Sequence, residues 1–99
     1  MKVRYSPRAS IDLDSIYEFL NQHNPAGAAR VMAAIYAAVE FIRRNPHASE
    51  MTSFHGVRGK IVHRYRFKVF YRMAERDDVI EIVHVRHTSR RPWIEEDQS

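Results

Sequence analysis

After a short N-terminal segment, the hydrophobic pattern of this chain changes near Pro46 from a helical repeat to a strand repeat. Before that point apolar residues recur every three or four positions, and through most of residues 60–85 they alternate with polar residues. A helical repeat lays one apolar stripe along a helix, whereas alternation gives a strand one apolar face. The two halves therefore predict an α+β fold, in which helices from the first half pack on strands from the second.

Two helices are predicted in the first half, each opened by a capping residue and a proline. Ser6-Pro7 begins a helix that ends near residues 21–23, and Asn24-Pro25 begins a second one that runs to about Arg44. The short connection predicts an antiparallel helical hairpin with facing apolar stripes. The first stripe comprises Leu13, Ile16, Tyr17 and Leu20, and the second comprises Ala28, Val31, Met32, Ile35, Ala38, Val39 and Ile42.

Strands are predicted before and after the hairpin. Residues 2–5 alternate as a short N-terminal strand, and residues 46–54 lack periodicity and indicate a loop. Three strands follow at residues 60–65, 67–73 and 79–85, and short connections make them an antiparallel meander. On the first of these, Ile61, His63 and Tyr65 should face the core, and on the second Phe67, Val69, Tyr71 and Met73. The order is β-α-α-β-β-β in one sheet, within a single domain spanning residues 1–99 and ending in a basic tail at about 86–99.

The opposite face of the meander is the candidate working surface. Alternation assigns to it Val62, Arg64 and Arg66 on one strand and Lys68, Phe70 and Arg72 on the next. The tail adds Arg86, His87, Arg90, Arg91 and Trp93 near the edge of this face. Basic and aromatic side chains would then share one exposed surface.

The positive charge belongs to the C-terminal half of the chain. The net charge is +4, and residues 55–91 hold ten Lys/Arg against four Asp/Glu, whereas residues 1–50 hold six against five. Such a field favours an anionic partner, either nucleic acid or an acidic protein segment. The alternative is that these charges form only a solvated face.

Composition excludes several kinds of chemistry. The chain has no cysteine, which removes disulfides, thiol catalysis and cysteine-ligated metal. His84 and His87 are three apart on a strand and should point to opposite faces, so no metal site is predicted, and no cofactor is expected. No segment suggests a signal peptide or a membrane span, which needs roughly 20 apolar residues, so a cytoplasmic protein is expected.

Particular residues in this order make the chain similar to the ParE/RelE superfamily of toxins from bacterial toxin–antitoxin modules. In the N-terminal half they are Ser6-Pro7-Arg8-Ala9, the helix that carries residues 12–17, and Asn24-Pro25 before an alanine-rich helix. In the C-terminal half they are residues 67–72, which read FKVFYR, and residues 83–87, which read VHVRH and lead to Arg90 and Trp93. The resemblance spans nearly the whole chain and implies the β-α-α-β-β-β fold of that superfamily.

The resemblance implies one of two activities. RelE-like members are ribosome-dependent endoribonucleases, which need cations for the phosphate and groups that move protons. Here Arg64, Arg66 and Lys68 would supply the cations, and His87 or His63 would move protons. His63 has a second interpretation as a hydrogen-bonded histidine near the core.

ParE-like members instead inhibit DNA gyrase by binding it. Nuclease members usually end in a tyrosine or histidine, whereas this chain continues through Trp93 to the acidic residues 95–97. The His87-x-x-Arg90 spacing followed by Trp93 resembles ParE-type tails, so a gyrase inhibitor without catalytic residues is the preferred hypothesis. The alternatives are the RelE-like endoribonuclease and an inactive toxin that acts only as a binding module.

The resemblance also implies partners. We expect a ParD-like antitoxin with a DNA-binding N-terminal domain and a C-terminal segment that covers the toxin, giving a hetero-oligomer. The residues expected to bind the target or the antitoxin are Arg64, Arg66, Lys68, Arg72, Arg86, His87, Arg90, Arg91 and Trp93. Trp93 is either an anchor for the partner or a lid on the core.

Overall fold

A computed structural model describes residues 1–89 as two helices packed on one face of a five-stranded sheet. The elements in chain order are β1 (Lys2–Tyr5), α1 (Pro7–His23), α2 (Pro25–Arg44), β2 (Glu50–Met51), β3 (Val57–Val62), β4 (Phe67–Ala74), a 3₁₀ turn (Glu75–Asp77) and β5 (Val79–His87). This order confirms the predicted α+β fold and the predicted limits of both helices.

The sheet has the strand order β1-β5-β4-β3-β2. The strands β3, β4 and β5 form the predicted antiparallel meander, and β1 adds to its β5 edge in parallel. The loop prediction for residues 46–54 is wrong at Glu50 and Met51, which pair with β3 as the short edge strand β2. Two residues give too short a segment for alternation to be recognised.

The helix starts follow from the capping residues that the sequence contains. The Ser6 hydroxyl accepts a hydrogen bond from the Ala9 N–H at 3.0 Å, and the Asn24 side chain accepts one from the Gly27 N–H at 3.0 Å. The Asn24 N–H also donates to the Leu20 carbonyl, so a single residue ends α1 and begins α2. The sharp connection turns α2 back against α1.

The core lies between the helical hairpin and the sheet. The predicted stripe of α2 is buried except for Met32, which is partly buried. On α1 the stripe is shifted, because Ala9 and Leu13 are buried whereas Tyr17 is 47% exposed. The prediction for Tyr17 is therefore wrong, and α1 contributes a narrower apolar face than its sequence indicates.

The side-chain alternation of β3 is opposite to the prediction. The strand begins at Val57 and ends at Val62, and Val62 is 2% exposed whereas Ile61 is 50% exposed. His63 to Arg66 form the hairpin loop, so alternation was counted across residues that are not in a strand. A shift of one residue moves every side chain to the other face, and Ile61, His63 and Val62 were all misassigned for that reason.

Helix α2 is long and apolar enough, by length and composition alone, to cross a membrane. This contradicts the expectation that no segment approaches such a length. The core helix of a soluble protein passes the same test, and the apolar stripe of α2 packs on the sheet here. The finding is therefore weak evidence for a membrane span.

Candidate functional site

The sheet face turned away from the helices, which we call the open face, carries basic, aromatic and acidic side chains. Paired residues of neighbouring strands point to the same side, and Phe67, Val69 and Tyr71 point to the core. The intervening positions and their partners therefore form the open face. Its residues include Lys2, Arg4, Ile61, Lys68, Phe70, Arg72, Glu81, His84 and Arg86.

At the β1 end of β5, one carboxylate lies among the basic side chains of the open face. Glu81 forms ion pairs with Arg72 at 2.8 Å and with Arg4 at 3.4 Å. Both arginines are largely exposed, so each pair contributes at most about 1 kcal/mol. Glu81 therefore offsets part of the positive charge at this end of the open face.

Phe70 lies at the centre of the open face and is buried. It was expected to be exposed, yet it is 4% exposed. The His84 ring stacks on it with centroids 5.6 Å apart, and the cations of Lys68 and Arg86 lie 5.2 and 5.5 Å from its ring. Cation–π contacts of this kind hold long basic side chains over an aromatic ring. The open face thus has an aromatic centre covered in part by cations.

Asp12 of α1 joins the helical hairpin to the open face through His84. Its Oδ2 accepts hydrogen bonds from the His84 Nδ1–H at 2.6 Å and from the Val85 N–H at 3.0 Å, and its Oδ1 accepts from Arg8 Nε at 3.2 Å. His84 is 4% exposed. Asp12 therefore fixes the orientation of the His84 ring and satisfies a backbone donor on the part of β5 beyond β1.

A β-bulge in β5 permits this junction. Phe70 pairs with His84 and Tyr71 with Ile82, so Val83 is an extra residue with no partner on β4. Ser6 donates from its N–H to the Ile82 carbonyl at 2.9 Å and from its hydroxyl to the Val83 carbonyl at 3.1 Å. The bulge thus turns backbone groups of β5 toward the start of α1.

Arg64 and Arg66 lie in the β3–β4 loop, not on β3 as predicted. Both are exposed, and both have positive φ angles, 80° and 57°. The Arg66 carbonyl accepts a hydrogen bond from the Thr88 N–H at 2.6 Å, which attaches the loop to the end of β5. The two arginines therefore sit at the end of the sheet opposite the 3₁₀ turn.

His87 and Lys68 point to opposite faces of the sheet. His87 pairs with Phe67 on the core side, where the two rings meet edge to face at 5.1 Å, and its Nδ1 accepts from the Ser89 N–H at 3.1 Å. Lys68 pairs with Arg86 on the open face. His63 is exposed in the β3–β4 loop, so its interpretation as a core histidine is wrong.

The Glu40 carboxyl and the Tyr5 hydroxyl, both outside the open face, have shifted pKa values. Hydrogen bonds from Arg43, with a smaller contribution from Arg44, lower the pKa of Glu40 on α2 to about 2. Burial, together with the nearby Tyr36, raises the pKa of Tyr5. Neither shift arises at the candidate surface.

Comparison with known proteins identifies the family. The family described as "ParE toxin of type II toxin-antitoxin system, parDE" matches residues 3–92. This chain belongs to the ParE toxin family. Its fold and its sequence signature therefore lead to the same group of toxins, and no curated protein sequence matches this ParE-family chain.

Solved structures of toxins share the fold. A chain of the chromosomal ParDE system from P. aeruginosa is 23% identical, with a TM-score of 0.78 over 90% of this chain and 97% of that one. The isolated RelE toxin of E. coli is 10% identical, with a TM-score of 0.69 over 98% of this chain and 90% of that one. A YoeB/ParE toxin from Agrobacterium tumefaciens is 18% identical, with a TM-score of 0.63 over 88% and 98%. Identities this low demonstrate a shared fold only.

The structure brings together part of the predicted surface of this ParE-family toxin. Lys68, Arg72 and Arg86 share the open face, Arg64 and Arg66 lie at its end, and His87 lies behind it. Arg90, Arg91 and Trp93 fall outside the described residues. Among residues 1–89, no cluster of three His, Asp or Glu could hold a metal ion.

Sequence reasoning did not assign Glu81, His84 or Asp12 to this surface. Glu81 alternates correctly, but its ion-pair partners Arg4 and Arg72 come from other strands. Asp12 and His84 are 72 residues apart. A buried histidine in a strand and an acid in the second helical turn are the only local signals, and neither indicates the other.

Proposed function

We propose that this ParE-family toxin inhibits DNA gyrase by binding it, with no covalent chemistry of its own. The observation that carries the proposal is the separation of Lys68 and His87 on opposite faces of the sheet. A nuclease needs its proton-transfer group and its phosphate-binding cation at one phosphate, within about 3 Å of the reacting atoms. Membership in the ParE family also supports inhibition of gyrase by binding.

Other histidines do not replace His87 in a nuclease site. His84 is buried and donates from Nδ1 to Asp12. His63 is exposed in the loop that carries Arg64 and Arg66, away from Lys68 and Arg86 on the open face. Binding, by contrast, requires only the shape and charge of the open face. Its basic residues Lys68, Arg72 and Arg86, with the tail residues Arg90, Arg91 and Trp93, are the proposed contacts.

The proposed antitoxin is a ParD-like protein with a DNA-binding N-terminal domain. Two of the similar solved structures come from toxin–antitoxin systems, ParDE of P. aeruginosa and RelBE of E. coli. An antitoxin is thus a partner of this family, and we propose that an acidic segment of it covers the open face in a hetero-oligomer. We also propose that the 99-residue chain is one domain and works in the cytoplasm, where gyrase acts.

The deciding experiment adds the purified toxin to DNA gyrase and measures supercoiling of a relaxed plasmid. Inhibition is expected, and Lys68→Ala with Arg86→Ala should weaken it because both cations belong to the proposed contact surface. Arg30→Ala, an exposed arginine of α2, is the matched control and should inhibit like the wild type. Unchanged supercoiling with the wild-type toxin would refute the proposal.

A parallel assay of messenger RNA in a translating extract separates the alternatives. Cleavage that disappears in His87→Ala would identify the RelE-like endoribonuclease. Expression of the chain without an antitoxin tests the third hypothesis, an inactive toxin that only binds. Such a protein would leave growth unaffected, whereas an active toxin would arrest it.

A further inference from the structure

The β3–β4 loop holds two arginines in a backbone conformation that disfavours them. Arg64 and Arg66 have φ angles of 80° and 57°, in the left-handed region that glycine adopts without steric cost. Residues held there persist when another requirement outweighs the strain, and such positions concentrate at functional sites. Two such positions occur within three residues. We take this to mean that the arginine side chains have a role that outweighs the backbone strain of the turn.

The loop displays these side chains and hides its apolar one. Arg64 and Arg66 are exposed, whereas Tyr65 between them is partly buried and packs against the core. The Thr88 N–H holds the loop by donating to the Arg66 carbonyl. The two guanidinium groups are thus presented outward from an anchored loop.

No carboxylate offsets these cations within the described chain. Residues 51–74 and 82–94 contain no Asp or Glu, so the strands that flank the loop bring no acid to this end of the sheet. Arg4, Arg8, Arg43, Arg44 and Arg72 each form an ion pair with another described residue, whereas Arg64 and Arg66 form none within residues 1–89. Positive charge is therefore concentrated at the loop end, in contrast to the end near Glu81.

We infer that the β3–β4 loop binds the phosphodiester backbone of a nucleic acid. An acidic amphipathic peptide would need apolar surface for its anchor residues, and the exposed positions of the loop, His63, Arg64 and Arg66, offer none. Phosphate groups need only cations and hydrogen-bond donors, which guanidinium groups supply. The inference goes beyond gyrase inhibition, because it assigns the loop a second ligand, a nucleic acid, that the toxin would bind without gyrase.

The test measures binding of the purified toxin to labelled duplex DNA and to labelled single-stranded RNA by fluorescence anisotropy at several salt concentrations. Replacing both arginines by glycine should weaken nucleic-acid binding roughly tenfold or more and reduce the slope of log affinity against log salt by about 2. Arg64→Lys with Arg66→Lys keeps the charges and should retain most of the slope. Arg76→Gly, at the opposite end of β4, is the control and should bind like the wild type.

Thermal unfolding of the same variants tests the strain argument. Arg64→Gly and Arg66→Gly should each raise Tm by roughly 4 °C, because glycine removes the left-handed strain. Arg76→Gly has no positive φ to relieve and should not raise Tm. Glycine variants that bind less nucleic acid and are more stable would establish that the arginines are kept for the ligand.

Three results would overturn the inference. They are unchanged binding of DNA and RNA by the double glycine variant, a fall in Tm on glycine substitution, and binding of labelled poly-glutamate without binding of either nucleic acid. The DNA and RNA arms identify which backbone the loop accepts. The assay contains no gyrase, so a failure to inhibit supercoiling and a failure of the loop to bind phosphate are separate outcomes.

Discussion

Asp12 on α1 and His84 on β5 lie 72 residues apart in sequence and share a hydrogen bond of 2.6 Å. The same carboxylate accepts the Val85 N–H, so one side chain connects the helical hairpin, the β5 backbone and the aromatic centre of the open face. The pairing of β1 with β5 ends at Tyr5 and Ile82, so no strand lies beside Val85 on that side. Without Asp12, the Val85 N–H would lack a partner within the sheet.

Asp12→Ala is expected to destabilise the protein by about 2–4 kcal/mol, because it removes the acceptor for two largely buried donors. Urea denaturation followed by circular dichroism measures this change. Asp14→Ala is the matched control, since Asp14 is an exposed carboxylate on the same helix, and its effect should stay within about 0.5 kcal/mol. Equal effects of the two substitutions would show that the junction contributes nothing to stability.

Tyr71→Phe should reduce the unfolding free energy by about 1 kcal/mol. Tyr71 is fully buried in β4, and its hydroxyl donates to the Pro46 carbonyl at 2.8 Å, which ties the loop after α2 to the sheet. The substitution leaves the ring packing intact and deprives that carbonyl of its donor. Chemical denaturation is the measurement, and Tyr36→Phe, which alters an exposed tyrosine, should be neutral.

The alternation of β3 can be tested with two neighbouring substitutions. Val62→Ala should cost about 2 kcal/mol because Val62 is buried in the core. Ile61→Ala removes more atoms but should cost less than about 0.5 kcal/mol, since Ile61 is on the open face and half exposed. A larger loss for Ile61 than for Val62 in thermal unfolding would mean that the strand has the opposite register.

The pKa of Glu40 depends on Arg43. Its value of about 2 arises chiefly from hydrogen bonds that Arg43 donates, so Arg43→Gln should raise it toward the ordinary value of 4.5. NMR titration of the Glu40 carboxyl carbon measures the shift directly, and Arg30→Gln provides a control on the same helix. An unchanged pKa in Arg43→Gln would contradict the assignment.

The same ion pair has a small effect on acid stability. Because the folded-state pKa is lowered, the pair stabilises the native state fully above pH 4.5, and this contribution is lost as the pH falls toward 2. The pair is exposed, so the loss should be slight and should shrink further at high salt.

Local patterns predicted the elements well and their faces unevenly. Capping residues and prolines gave both helix starts, and the long regular repeat of α2 identified its buried stripe. The prediction of which side chains of β3 face the core was wrong, because six residues followed by a polar loop contain too few alternations to show which face is buried. The prediction that Tyr17 is buried was wrong for a different reason. An apolar stripe on a helix does not show how much of its width the sheet and the other helix cover.

Some residues of the candidate surface could likewise be placed from the sequence and others could not. Lys68, Arg72 and Arg86 could be assigned to one face because β4 alternates regularly and its pairing with β5 transfers that alternation. Arg64 and Arg66 could not be assigned because the loop at residues 63–66 ends the alternation of β3, and His87 could not be assigned because the bulge at Val83 changes the phase of β5 before it.

The sequence by itself determined the element order, the helical hairpin, the concentration of positive charge in the C-terminal half and the family signature, since all of these depend on neighbours along the chain. Only the tertiary structure decided where Arg64, Arg66 and His87 lie, which cations pair with Glu81, and that Asp12 reaches His84. Strand register, a single bulged residue and the left-handed loop decide those relations, and each depends on pairing between segments that are distant in sequence.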